Sequence, residues 1–247
     1  MAYNKKPKMI LFDVGGTLFD DGPCIPIDGL AQLRPAAINP DITDNTTLAL
    51  LWDEYMTEIT GLKSKSDIPL DMPLSAPIKY VTMKSGLKFD IPMIEQEEIF
   101  DRYNSSRKVI DGVPELLYTL HSLSIRTAVI SNNAMSGESL ALALKRWIPN
   151  VRFEFCLTSA DILYCKPCKD IFLTASGYAN LDPSECWYCG DSFIPDILGS
   201  SGVGMTPVLL DTKSNTPFKV CENESTGKYI TVNNWNALKE HIENLSE

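Results

Sequence analysis

The stretch ILFDVGGTLFD, residues 10–20, sets an apolar run against one carboxylate, Asp13, and then turns through Gly15 and Gly16 into Thr17. Its first part, near residues 8–13, reads as a strand that releases a carboxylate into a glycine turn. What chemistry Asp13 serves depends on what the rest of the chain brings beside it.

Outward from that strand the chain divides by pattern. Residues 21–108 look inserted: TTLALLWDEYMTEITGL (46–62) and PMIEQEEIFDRYN (92–104) have helical apolar spacing, SDIPLDMPLSAP (66–77) is a proline-punctuated connection, and no convincing strand pair occurs. From Asp111 onward helices and strands alternate: PELLYTLHSL, IRTAVIS, ESLALALKRW, RFEFCLT, KDIFLTASGY and CWYCG. MTPVLLD, KYITV and the helical NWNALKEHIENL continue that rhythm. Such alternation predicts an α/β fold, a parallel sheet wrapped by helices that the first strand rejoins. The expected architecture is a Rossmann-like, doubly wound core from residues 1–20 and 109–247, with a mainly α-helical insertion at 21–108.

Polar groups follow four of these strands: Asp13, Ser131, Lys166 at a helix start, and Asp191 with Asp196. Ligands of open parallel sheets bind outside the carboxyl ends of the strands, so these groups should converge on one crevice. With FDVGGTLFD, AVISNN, CKP and YCGDSFIPD in this order, the chain resembles the haloacid dehalogenase superfamily, in which helical caps are inserted where residues 21–108 lie. The resemblance covers the presumed core, about two thirds of the chain.

The resemblance implies roles residue by residue. Asp13 would be the nucleophile, forming an aspartyl-phosphate. Ser131 would hydrogen-bond a transferring oxygen, with Gly16, Thr17 and Asn132 also at the phosphate. Lys166 would neutralise the charge brought together there, and Asp13, Asp191 and the carbonyl of Gly15 would hold Mg²⁺. Asp196 would orient that shell or Lys166. The need is electrostatic, because moving a dianionic phosphoryl group onto a carboxylate crowds like charges.

One position departs from the family's phosphatases. They place a second aspartate two residues beyond the nucleophile to protonate the leaving oxygen and then activate water; here that residue is Gly15. General acid–base catalysis contributes ~10²–10⁴ in rate, about 3–5 kcal/mol of barrier. Asp20, Asp21 or a residue of the cap are the candidate replacements, and Gly15, in a tight turn, is a candidate for positive φ.

The reading expected is a Mg²⁺-dependent phosphomonoesterase acting on a small phosphorylated metabolite. The alternatives are a haloacid dehalogenase, a phosphonatase and a catalytically weak protein that binds phosphate or a partner. Dehalogenases also lack the second aspartate but dispense with the metal, so Asp191 weighs toward phosphoryl transfer. A phosphonatase would use a cap lysine, for which Lys63, Lys65, Lys79, Lys84 and Lys88 are candidates. A sugar-kinase-like reading of the Asp-x-Gly-Gly-Thr turn needs a second phosphate loop. GSSGVGM (199–205) is not one, because it leads into a strand rather than a helix.

Composition narrows the partners. With 44% hydrophobic and 22% charged residues the chain reads as an ordinary globular protein, and a net charge of −10 opposes nucleic acid. Lys5, Lys6 and Lys8 precede an apolar run too short for a signal peptide or a membrane span, so a cytoplasmic location is expected. The acceptor triplets at Asn45, Asn104, Asn223 and Asn244 then carry no functional weight. CKPC (165–168) and CWYC (186–189) imitate a zinc ribbon, but CWYC reads as a strand, which turns Cys186 and Cys189 to opposite faces. His121 and His241 lie in helical patterns and read as structural. Oligomeric state leaves no signal in the sequence.

Overall fold

The computed structural model of the chain describes residues 2–63 and 70–245; Lys65 and the first residues of the 66–77 connection lie outside them. Strand β1 (Met9–Phe12) is apolar and buried at every position. Because side chains alternate along a strand, Ile10 and Phe12 join one apolar cluster with Val129, Trp187 and Trp235, while Met9 and Leu11 join another with Ile130, Phe172 and Tyr188. Each large side chain buried this way contributes about 1.5–3 kcal/mol, a gain open only to a strand covered on both faces.

Two short strands, β2 (Phe19–Asp20) and β3 (Lys108–Val109), pair antiparallel. Between them run α1 (Pro26–Leu33), α2 (Asn45–Lys63), α3 (Ser75–Ser85) and α4 (Met93–Asn104). These helices share an apolar cluster in which Trp52 stacks on Phe100 at 5.1 Å, and Met135 and Ala143 enter it from the sheet domain's side. The β2–β3 pair, unforeseen in the sequence, holds the entry to and exit from this helical layer side by side. Helix α3 starts inside the stretch read as a connection: Pro77 occupies its first turn, where a missing N–H costs little, and Gly86 ends it at φ 81°.

The chain continues through α5 (Val113–Ser122), β4 (Arg126–Ser131), α6 (Gly137–Trp147), β5 (Cys156–Thr158), α7 (Ser159–Ile162), α8 (Lys169–Ala179) and β6 (Cys186–Gly190). A π-helical turn (Phe193–Leu198), α9 (Gly199–Ser201), β7 (Thr206–Leu210), the hairpin β8 (Phe218–Asn223) and β9 (Gly227–Val232), and α10 (Trp235–Glu243) complete it. Strand order is β5-β4-β1-β6-β7-β9-β8, parallel throughout except for β8 against β9. Strand β8 escaped the sequence reading because FKVCEN, at an edge, alternates too weakly to signal burial. From β1 the sheet is built outward to β4 on one side and β6 on the other, so the carboxyl end of β1 is the switch point where a crevice forms.

Candidate active site

Asp13 is the first residue beyond β1, and its N–H donates to Cys189 O at 2.9 Å, extending the ladder to β6 and fixing where the carboxylate leaves the sheet. The glycine turn follows. Gly16, not Gly15, has positive φ, 66°, and a Cβ there would lie 2.3 Å from Asp191 Oδ2. Its N–H donates to Phe19 O at 2.7 Å and that of Thr17 to Val14 O at 3.3 Å. Thr17 is fully buried, with its carbonyl accepting from the Trp235 indole at 2.8 Å. Both N–H groups thus close the turn itself, while the buried Thr17 hydroxyl has no hydrogen-bond partner among the described residues.

Opposite Asp13 stands Lys166, 4% exposed. Its Nζ lies 2.9 Å from Asp13 Oδ1, 2.6 Å from Asp196 Oδ1 and 2.8 Å from Tyr188 Oη. Tyr188 donates in turn to Ile130 O at 2.8 Å, and Asp196 Oδ2 accepts the Ser192 N–H at 3.0 Å. Burial disfavours the Lys166 ammonium, but the negative charges of Asp13 and Asp196 outweigh it and hold the group above its ordinary value. Burial pushes Asp196 up to about 6 against the pull of Lys166. The phenol of Tyr188 is held far above its usual range, first by burial and then by Asp196 and Asp13.

Asp191 follows β6, and burial together with the charge of Asp13 raises its carboxyl. One ligand oxygen from each of Asp13, Asp191 and Asp196 lies within 4.8 Å of the others, so three carboxylates face one ammonium. Both Asp196 oxygens are already hydrogen-bonded, which leaves Asp13 and Asp191 as hard oxygen donors in a site short of positive charge. That donor set fits a divalent cation such as Mg²⁺.

These groups line a cleft of about 330 Å³ with Gly15, Asp21, Ser131 and Asn133. Ser131 ends β4 at the rim. Asn132 also reaches the cleft: its Oδ1 accepts the Lys166 N–H at 2.7 Å and its Nδ2 donates to Lys166 O at 3.1 Å. Its amide is a clamp on the lysine's backbone. Tyr188 was missed as part of the site, whereas Asp21 was among the candidate replacements for the absent acid; alternation along CWYC places Tyr188 on the face opposite Trp187, but only the position of Lys166 gives that hydroxyl a meaning.

Elsewhere, Cys186 and Cys189 fall in apolar clusters on opposite faces of the sheet, as strand geometry requires. His241 stacks on Phe218 at 4.1 Å, and burial lowers its imidazole. Of the lysines weighed for imine chemistry, Lys79, Lys84 and Lys88 do not line the cleft; Lys84 pairs with Glu54 on an exposed surface. The Lys63 side chain and Lys65 lie outside the described residues. Among the described residues no helix is long and apolar enough to cross a membrane.

Residues 43–210 match the sequence model of the family described as haloacid dehalogenase-like hydrolase. A haloacid dehalogenase-like hydrolase domain-containing protein 3 of Xenopus laevis is 28% identical over 54% of this chain, which spans about half the length of that relative, 48%. A glyceraldehyde 3-phosphate phosphatase of Methanothermobacter thermautotrophicus is 24% identical over 83% of this chain and 86% of its own. Among solved structures, a 2-haloacid dehalogenase from Pseudomonas syringae superposes with a TM-score of 0.60 at 21% identity, covering 97% of this chain and all of the other, 100%. A phosphatase from Thermococcus onnurineus gives a TM-score of 0.56 at 17% identity over 96% and 98%. The fold, the crevice at the end of β1 and a family match across two thirds of the sequence agree: this chain belongs to the haloacid dehalogenase-like hydrolases.

Proposed function

We propose that this hydrolase is a Mg²⁺-dependent phosphomonoesterase of small phosphorylated metabolites, working through an aspartyl-phosphate on Asp13. The observation that carries the reading is the meeting of Asp13 and Asp191 in one cleft beside an ammonium already shared with Asp196. Displacement of a halide needs one nucleophilic carboxylate, and a second one lying close by only raises the cost of negative charge. Phosphoryl transfer with a bound cation uses both. The name of the methanogen relative, a sugar-phosphate phosphatase, leans the same way.

In this reading Asp13 attacks phosphorus, and Lys166 Nζ, 2.9 Å from its carboxylate, offsets the charge of the incoming phosphoryl group. Ser131 Oγ donates to a phosphoryl oxygen at the rim. Asp13, Asp191 and the Gly15 carbonyl would hold Mg²⁺, which would supply further charge neutralisation. Asp196 and Tyr188 keep Lys166 charged and aimed, and Asn132 fixes its backbone. The helical layer of residues 21–108 acts as the cap that excludes water during transfer. A screen of phosphate esters, phosphonates and 2-haloacids with and without Mg²⁺, using Asp13→Asn as the blank, tests the reading. Asp13-dependent release of phosphate only with Mg²⁺ supports it, and halide release without metal overturns it.

A further inference from the structure

An alkyl phosphate needs a proton on its poor leaving oxygen, and the second half of the reaction needs a base for the attacking water. Among the described residues, the titratable side chains lining the cleft are Asp13, Asp21, Lys166, Asp191 and Asp196. Asp13 is the nucleophile in the reading above, Lys166 is held between two carboxylates, Asp196 has both oxygens bonded, and Asp191 faces the cation site. Asp21 remains.

Its place is specific. Asp21 Oδ2 lies 2.2 Å from the point where a Cβ on residue 15 would be, so the carboxylate fills the space that any side chain at that position would enter. Glycine at position 15 is the condition for Asp21 to reach the cleft. The other oxygen, Oδ1, accepts from Arg107 Nε at 2.6 Å. Arg107 in turn donates from Nη1 to both oxygens of Asp101, at 2.6 and 2.8 Å, and its guanidinium lies over the Trp147 ring at 4.9 Å. With its charge matched by a buried Asp101, Arg107 serves Asp21 as an orienting donor rather than an uncompensated cation. Asp21 and Arg107 flank the β2–β3 pair, and Asp101 belongs to α4, so the same three residues span the join between sheet and helical layer.

We propose that Asp21 is the proton-transferring catalytic residue of this enzyme, an inference that rests on the phosphomonoesterase reading. As Asp13 bonds to phosphorus and the ester P–O bond breaks, the Asp21 carboxyl gives its proton to the leaving oxygen. As water then bonds to phosphorus and the Asp13–phosphorus ester breaks, the Asp21 carboxylate takes the water's proton and is ready for the next cycle. No other reactant is needed.

The test compares wild type, Asp21→Asn and Gly15→Ala on an aryl phosphate with a stable phenolate leaving group and on an alkyl phosphate, with Asp13→Asn as blank. Asp21→Asn should lose ~10²-fold or more on the alkyl ester. On the aryl ester, whose departure needs no proton, it should release about one equivalent of phenolate per enzyme in a burst and then turn over slowly, because the phosphoenzyme waits for a base. Gly15→Ala leaves Asp21 in the chain but pushes its carboxylate aside, and should reproduce both effects in a folded protein. An unchanged alkyl-to-aryl ratio with no burst in either variant overturns the role of Asp21 while leaving the phosphatase reading intact. Absence of any Asp13-dependent turnover by wild type on either ester overturns both.

Discussion

The side chain of Asn132 holds Lys166 by its backbone, accepting from its N–H at 2.7 Å and donating to its carbonyl at 3.1 Å. One residue beyond β4 thus fixes the loop that carries the ammonium, and the lysine's reach to Asp13 is set before any ligand arrives. Two such bonds are together worth about 1–3 kcal/mol. Asn132→Ala should lower stability by that amount in denaturant titration. It should also reduce kcat more than it raises KM, since the misplaced group is the ammonium rather than a binding contact. Asn132→Asp, which keeps the acceptor, should fall between.

Lys166→Met strands the buried Asp196 and should cost about 3–5 kcal/mol. The pH dependence follows from sign. The Lys166 ammonium is held above its ordinary value despite burial, by Asp13 and Asp196, so its stabilisation is complete below the ordinary lysine range and is lost as pH climbs through the raised value. Stability measured against alkaline pH should therefore fall less steeply in Lys166→Met than in wild type.

Arg107 and Asp101 form a buried pair, their side chains 10% and 2% exposed. Burial raises the Asp101 carboxyl against the pull of Arg107. Arg107→Met should destabilise by about 3–5 kcal/mol by leaving that carboxylate unpaired. In the double variant with Asp101→Leu the loss should be much smaller than the sum of the two single losses. A double-mutant cycle from chemical denaturation reads the coupling directly.

Much of this site is visible in the sequence, for a physical reason. Asp13 and Asp191 each follow an apolar strand, Ser131 ends one and Lys166, expected at a helix start, lies in the turn before α8; parallel-sheet topology brings such positions together wherever the strands are correctly read. What the sequence left open depends on how side chains pack. Asp21 is one of several candidate acids until its carboxylate is seen to fill the space beside Gly15, and Arg107 looks like a solvated charge until Asp101 is seen beside it. Asn132 is the opposite case: its residue type suits a ligand, and both ends of its amide hold the Lys166 backbone.

The cysteines provide a check on the packing. Burial pushes the Cys186 thiol up to about 11 and that of Cys156 up to about 12, and raises that of Cys189 as well, whereas Cys24 is exposed. Because thiolate is the reactive form, iodoacetamide near neutral pH should modify Cys24 first. Cys156, Cys186 and Cys189 should react only on unfolding, and peptide mapping before and after denaturant distinguishes the two sets.

The central claim is that Asp13 accepts a phosphoryl group, and acid-quenched peptide mapping during turnover of an activated aryl phosphate with Mg²⁺ tests it most directly. The account predicts a phosphate on Asp13 in wild type, at higher occupancy in Asp21→Asn and absent in Asp13→Asn. Phosphate release that continues in Asp13→Asn, or a wild-type peptide carrying phosphate at a residue other than Asp13, would contradict it.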